Sequence, residues 1–529
     1  MFMQFTSTIF ILFIFFVTIF FYVLPEKHRW KILLASSYIF YASFSLKGFL
    51  YIVPTTIEVF LFAKWIYSIN LKYSLILESV TDKQEKRIIK AKCKAEKKKV
   101  ISFSLCITIG ILCVLKYTNF LCENFINFSK VLGVSRGGEQ TYSPISFFIP
   151  LGLSFYTFSA VGYLFDVYNN KYSAEKSLPR FALFMIWFPS IIQGPINRNG
   201  QLRREFFEKE HPFVLQNIQF AVQRILWGFL KKLVIADRAD QVVTYIFGSY
   251  DSLPWFIILF GLFMYAIELY ADFAGGMDIA LGISELFDIK LEENFKQPYF
   301  ATSVADFWRR WHITLGAWMK DYVFYPFSLS KSMMNLSKSL SGRSKYLARI
   351  VPACIGNIII FLLVGIWHGA EWHYIFWGLY QGLIIAFSTA LEPTFKRINS
   401  VLHINENSFY WHVFRIVRTL LIILLGYILD EISDIHQMWG VTKQLFTFRN
   451  LNLISNFSYS GFGKLTLVVV FLFSTVWFVV SVQKERGIDV RQKIASMSLP
   501  VRWFIYLALI LSVPFFQASD SIGFMYANF

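Results

Sequence analysis

Apolar stretches long enough to cross about 30 Å of hydrocarbon recur along the whole chain, separated by short polar and charged segments. They run from Phe5 to Leu24, Gly48 to Ile69, Val100 to Phe120, Ile145 to Phe165, Trp255 to Tyr270, Val351 to Trp367, Val413 to Leu429, Lys464 to Val482 and Val501 to Phe516. Shorter or polar-interrupted runs lie at Ile32 to Leu46, Phe181 to Ile192 and Phe213 to Ile235. The pattern predicts an all-α polytopic membrane protein with about nine to twelve helical spans and some re-entrant or in-plane segments. Composition agrees: 56% of residues are hydrophobic and 19% aromatic, too apolar for a soluble two-domain protein. Met1 to Val23 lacks the basic start and A-x-A-like site of a cleavable signal, so the first segment is expected to stay as a core helix.

Charge adds a direction. Of the formal net charge of +17, much sits between Lys83 and Lys99, where Lys83, Lys86, Arg87, Lys90, Lys92, Lys94, Lys97, Lys98 and Lys99 face only Glu85 and Glu96. Read as a loop over 82–99, this stretch is cytoplasmic by the positive-inside rule. The first helix then starts outside, Glu26 to Lys31 lies inside, and Ile32 to Ile69 forms a hairpin returning to the cytoplasm. Asn119 to Ser143 faces outward, and Lys171 to Arg180 with Arg198, Arg203 and Arg204 faces inward. Beyond Phe213 the charges are too mixed to set orientation. No aromatic-interleaved basic module is present, which argues against nucleic acid; anionic lipid headgroups account for the basic stretch. The cysteines (Cys93, Cys106, Cys113, Cys122, Cys354) are scattered without C-x-x-C spacing and predict neither a disulfide framework nor a zinc site.

Polar residues inside such a chain need a reason, because a charge at the bilayer centre costs roughly 2.5–3.5 kcal/mol on insertion scales. Asp306 to Pro326, DFWRRWHITLGAWMKDYVFYP, sets Arg309, Arg310 and His312 among tryptophans and tyrosines. One reading is an amphipathic interfacial helix with snorkelling arginines; the other is a polar cavity in a helical bundle. His312 is expected on a helix, with Asp306 and Arg310 paired at i,i+4. His368 ends the apolar run from Val351 and is flanked by Gly365 and Gly369, which permit close approach of a ligand or helix. In YADFAGGMDIALG (Tyr270 to Gly282), Asp272 and Asp278 sit beside paired glycines. They either pair with Arg309 or Arg310 in a tight kink or contact substrate. FPSIIQGPINR (Phe188 to Arg198) reads as a re-entrant elbow broken by Pro189 and Pro195, with Arg198 placed to meet a phosphate.

These residues resemble the membrane-bound O-acyltransferase family, in particular its bacterial alginate and peptidoglycan O-acetyltransferase branch. The likeness is carried by PLGLSFYTFSAVGYLFDVY (Pro150 to Tyr168), QGPINR (Gln193 to Arg198), Tyr270 to Gly282, ENFKQPYFATSVADFWRRWHITLGAWMKDYVFYP (Glu293 to Pro326) and GIWHGAEWHYIFWGLYQG (Gly365 to Gly382). It implies one integral-membrane acyltransferase domain over 1–529, with a family core at about 144–390 and re-entrant helices around a central tunnel. His368 would be catalytic and His312 supporting. Arg198, Arg309, Arg310, Asp272, Trp311 and Asn294 would bind substrate or donor. Acetyl-CoA would be the donor, with no permanently bound cofactor, and the location the bacterial cytoplasmic membrane. An imidazole of pKa about 6.5 suits proton removal from an attacking hydroxyl. The end of the chain, F-M-Y-A-N-F from Phe524 to Phe529, resembles an F-x-Y-x-x-F tail whose tyrosine, here Tyr526, would carry the acyl group.

Two departures bear on the acceptor. Ala274 and Gly276 stand where alginate-type members have a serine and a tyrosine, and PFSLSKSMMNLSKSLSGRSK after Tyr325 replaces a glycine-rich turn. Both point away from alginate, toward peptidoglycan or another extracytoplasmic glycan acetylated through an exported SGNH-type partner. Rival readings are a flippase for a lipid-linked glycan and a lipid O-acyltransferase using longer chains.

Overall fold

A computed structural model describes residues 3–132, 142–448, 462–519 and 523–525. Helix is the only regular structure among them. Within hydrocarbon, a helix satisfies its own backbone amides, which no lipid can do. The chain divides into two compact units, one of residues 1–215 with 284–291, the other of residues 216–283 with 292–529.

The first unit holds α1 (Thr8–Val23), α2 (Glu26–Phe44), α3 (Phe49–Ser79), α4 (Lys83–Val131), α5 (Leu153–Tyr168), α6 (Leu178–Ile186) and α7 (Asn199–Phe207). The basic stretch expected as a loop is instead the opening of α4, which begins at an Asp82 cap on the Glu85 amide (2.7 Å) and runs unbroken for 49 residues. At 1.5 Å per residue that is about 74 Å, far more than a bilayer needs. Strong helix formers in 83–99 carry the helix beyond the apolar Val100 to Phe120 segment. Lys97 is buried and donates to the Tyr168 carbonyl (2.7 Å), tying the start of α4 to the end of α5. The FPSIIQGPINR stretch is a buried elbow: a short turn at Phe188–Ile191 is followed by non-helical chain to Arg198. Gly152 opens α5 at φ 68°, and a Cβ there would lie 2.3 Å from the Ile191 carbonyl oxygen. Only glycine permits that turn against the elbow.

In the second unit, α8 (Leu215–Phe229) passes through a π-helical stretch, Leu230–Ala236, into α9 (Asp237–Gly248). Then come α10 (Trp255–Leu286), the short α11 (Val304–Arg310) and α12 (Ile313–Met319), α13 (Lys345–His368), α14 (Trp372–Ala390), α15 (Phe409–Glu431), α16 (Lys464–Glu485) and α17 (Leu499–Phe516). The paired glycines of α10 work as expected: Gly275 lies against the backbone of Gly228 and Lys232, letting α8 and α10 cross closely.

Seven described helices are long and apolar enough to cross a membrane, or up to eight if α14 and Glu392–Val401, bent by 57°, form one span. That is fewer than the apolar runs predict. The run from Ile145 to Phe165 yields only the 16-residue α5, whose side chains are nearly all buried. Phe181 to Ile192 likewise lies inside protein. Apolarity there serves the protein interior, which from sequence looks the same as lipid.

Candidate active site

His368 is the last residue of α13, buried at 5% exposure. It lines a cavity of about 200 Å³ shared with Tyr265, Leu269, Glu371, His373, Tyr374, Asp430, Glu431, Ser433 and Met525. Most of that lining is polar or ionisable, unlike the apolar helices around it. Close crossing of α13 and α14 shapes the place: a Cβ on Gly365 would lie 2.3 Å from the Tyr374 carbonyl oxygen, and one on Gly378 2.3 Å from that of Phe361. Trp367, Tyr374 and Trp377 rings stand 5.1, 5.9 and 4.8 Å from the His368 ring and restrict its orientation. Tyr265 donates to Asp430 (3.0 Å). His373 Nδ1 meets the Leu429 carbonyl (3.0 Å) and must donate to it, leaving Nε2 3.2 Å from Glu371.

His312 is not inside a helix. It sits between α11 and α12 at φ 44°, ψ 52°, a left-handed conformation. The neighbouring backbone explains the break: the Lys296 amide donates to the Arg310 carbonyl (2.9 Å) and the Ile313 amide to the Asn294 carbonyl (3.0 Å), pulling the chain out of helical register. Asn294 Oδ1 accepts from the Thr314 amide (3.0 Å) and hydroxyl (2.9 Å) and faces His312 Nδ1 at 3.3 Å. A backbone N–H can only donate, so this atom is the amide oxygen and His312 Nδ1 carries the proton. Nε2 is then the basic nitrogen. Complete burial pushes the imidazole down to about 3, which keeps His312 neutral. Phe273 meets the ring edge-on at 4.9 Å. With Trp311 and His312 buried, the interfacial-helix reading fails for this part of the segment.

The other expected site residues fall in distinct places. Trp311 packs between Phe295 and Phe307, with ring centroids 5.0 and 5.4 Å away. Arg310 pairs with Asp306 (3.2 Å), as its spacing implies, and with both Glu485 oxygens (2.9 Å each). Arg309 is largely exposed and lines a depression of about 1220 Å³ with Lys396, Arg415 and Arg418. Arg198 belongs to the first unit, at the N-cap of α7. Tyr526 lies outside the described residues; Met525, next to it, lines the His368 cavity.

Neither expected arginine partner reaches Asp272 or Asp278. Lys232 binds Asp272 (2.6 Å) and Asp237 (2.8 Å), while Asp278 pairs with Lys231 and with Arg224 (3.0 Å), which also holds Glu293 (2.6 Å). These cations come from the 224–232 stretch, whose lysines were visible in sequence only as an interruption of the Phe213 to Ile235 run. Asp430 and Glu431 were equally unmarked, since they end an apolar run that signals nothing but a span. Among the described residues, no group of three histidine, cysteine or carboxylate side chains is arranged to hold a metal ion.

Comparison with known proteins matches residues 170–427 to the membrane-bound O-acyltransferase family model. The chain is 28% identical over 453 residues to a probable alginate O-acetylase of Pseudomonas syringae pv. tomato, covering 85% of this chain and 77% of that one. It is 28% identical over 370 residues to a peptidoglycan O-acetyltransferase of Helicobacter pylori, 65% of each chain. With a teichoic acid D-alanyltransferase of Bacillus subtilis it shares 30% identity over 276 residues, 51% of this chain and 66% of the other. The flippase reading therefore gives way to an enzyme. The chain is a multi-pass membrane acyltransferase and belongs to the membrane-bound O-acyltransferase family.

Proposed function

We propose that this protein takes acetyl from cytoplasmic acetyl-CoA and delivers it across the bacterial cytoplasmic membrane for O-acetylation of an extracytoplasmic glycan, through an exported SGNH-type acyltransferase. The observation that carries this reading is the cavity shared by His368 and Met525, the residue that precedes Tyr526 in the sequence. In the reaction, the Tyr526 phenol oxygen attacks the thioester carbonyl carbon and its proton passes to His368. The C–S bond then breaks, and the departing thiolate recovers that proton. An aryl acetate remains, still activated for attack by a partner hydroxyl, which releases the tyrosine. Neutral His312 and Asn294 position the site.

Charge within the second unit supports the direction. Lys345 and Arg349 begin α13, Arg415 and Arg418 lie early in α15, and Lys484 lies in the last turn of α16, against Lys464 at its start. His368, Glu371, Asp430 and Glu431 occupy the opposite helix ends. By the positive-inside rule the basic depression faces the cytoplasm and the His368 cavity lies toward the outside. Along α15 the two are separated by about 20 Å. Guanidinium groups in the depression suit the phosphates of CoA. A polar cavity of about 200 Å³ suits an acetyl group and leaves little room for a long acyl chain.

Incubation of purified protein with isotopically labelled acetyl-CoA, followed by mass spectrometry of the carboxy-terminal peptide, tests the reading. An acetyl adduct on Tyr526 is expected, and loss of glycan acetylation in a deletion strain. Parental turnover in His368→Ala refutes the assignment of the base; an active protein whose carboxy-terminal peptide takes up no label refutes Tyr526 as the acyl carrier.

A further inference from the structure

We propose that the buried Lys232–Asp272 pair is a latch that holds the carboxy-terminal segment against the His368 cavity. Lys232 Nζ donates to Asp272 Oδ1 at 2.6 Å and to the Gly523 carbonyl at 3.1 Å, and forms an ion pair with Asp237 Oδ1 at 2.8 Å. The other Asp272 oxygen, Oδ2, accepts from the Met525 amide at 3.1 Å. One ion pair thus grips the C=O and N–H that flank Phe524. The Phe524 ring is itself buried, with Lys232 Nζ 5.1 Å from its centroid.

The grip extends along the same stretch. Arg238 donates to the carbonyls of Phe516 (2.7 Å) and Gln517 (3.1 Å), and the Ala518 amide donates to the Leu233 carbonyl (3.0 Å). Residues 232–238 therefore hold the chain at 516–518 and again at 523–525. Much of this holding segment is π-helical, a rare geometry that often marks functional sites. Backbone recognition makes the latch indifferent to most side chains of the tail. Release of the tail leaves the ion pair intact but takes the Gly523 carbonyl from Lys232 Nζ and the Met525 amide from Asp272 Oδ2 inside the protein, so return is favoured. Its consequence for rate rests on the proposed function; the latch itself does not.

The test is a cross-link. In full-length protein with its five cysteines replaced by serine, Ser433→Cys and Met525→Cys, which line the same cavity, are treated with a short bis-methanethiosulfonate. Efficient cross-linking is expected, falling at least fivefold in Lys232→Met. Should that variant misfold because two carboxylates lose their cation, the triple Lys232→Met/Asp237→Asn/Asp272→Leu removes all three charges together and is expected to show the same fall. Cross-linking that persists undiminished in a folded variant overturns the latch. Acetyl transfer should drop on the order of 100-fold on displacement, with the KM for acetyl-CoA unchanged. Linking the Ser433→Cys and Met525→Cys pair in Lys232→Met should restore the rate. A lost cross-link with undiminished transfer leaves the latch standing and refutes the role of the tail in the reaction.

Discussion

Replacing Gly378 by alanine should separate packing from chemistry at the α13–α14 crossing. The new Cβ would lie 2.3 Å from the Phe361 carbonyl oxygen and 3.1 Å from Gly365 Cα. Ordinary contact begins at 3.4 Å, so the helices must part by about 1 Å, and both obstacles are backbone. Alanine gains ~1 kcal/mol of helix propensity over glycine, while forcing apart a close-packed contact costs ~1–3 kcal/mol or more. The sum is a net loss of up to about 2 kcal/mol. Activity should suffer more, because His368 lies one turn after Gly365, and a 1 Å misplacement at a reacting centre costs on the order of 100-fold. Gly110→Ala is the control: its Cβ would meet nothing within 4 Å, so propensity alone acts and stability should rise by up to ~1 kcal/mol. Thermal unfolding in one detergent at fixed lipid content, with acetyl transfer measured in parallel, reads both. Equal melting temperatures and equal rates for the two variants would refute the packing argument.

Three further outcomes are expected. Because burial lowers the His312 pKa from 6.5 to about 3, the unfolded chain binds more protons between those values, so stability is full above pH 6.5 and falls below it. This group alone contributes a slope approaching ~1.4 kcal/mol per pH unit, and His312→Gln should flatten the acid limb of the unfolding curve. Asn294→Leu removes the one acceptor atom shared by the Thr314 amide, the Thr314 hydroxyl and His312 Nδ1, at ~0.5–1.5 kcal/mol for each bond lost, and should lower thermal stability along with activity. Arg415→Ala with Arg418→Ala should raise the KM for acetyl-CoA with kcat unchanged, and the difference should shrink at high salt; an unchanged KM would remove the basic depression from the donor path.

Hydrophobic periodicity, glycine spacing and the two histidine motifs made the fold class, the family and His368 legible in the chain itself, because each is a local property of neighbouring residues. The i,i+4 pair of Asp306 and Arg310 was legible for the same reason. Partners remote in sequence were not: Asp272 could be seen to need a cation, but only folding decided that Lys232, forty residues earlier, supplies it. His312 departs from its expected helix because residues 294–296 capture the flanking backbone, a non-local competition that periodicity cannot register. Span number depended on folding too, since α5 and the elbow at 188–198 are apolar to suit protein neighbours. The sequence by itself determined which residues must avoid water; the tertiary structure decided which of them face lipid, and which polar groups meet around His368, because burial and hydrogen bonding depend on segments that come together only when the chain is folded.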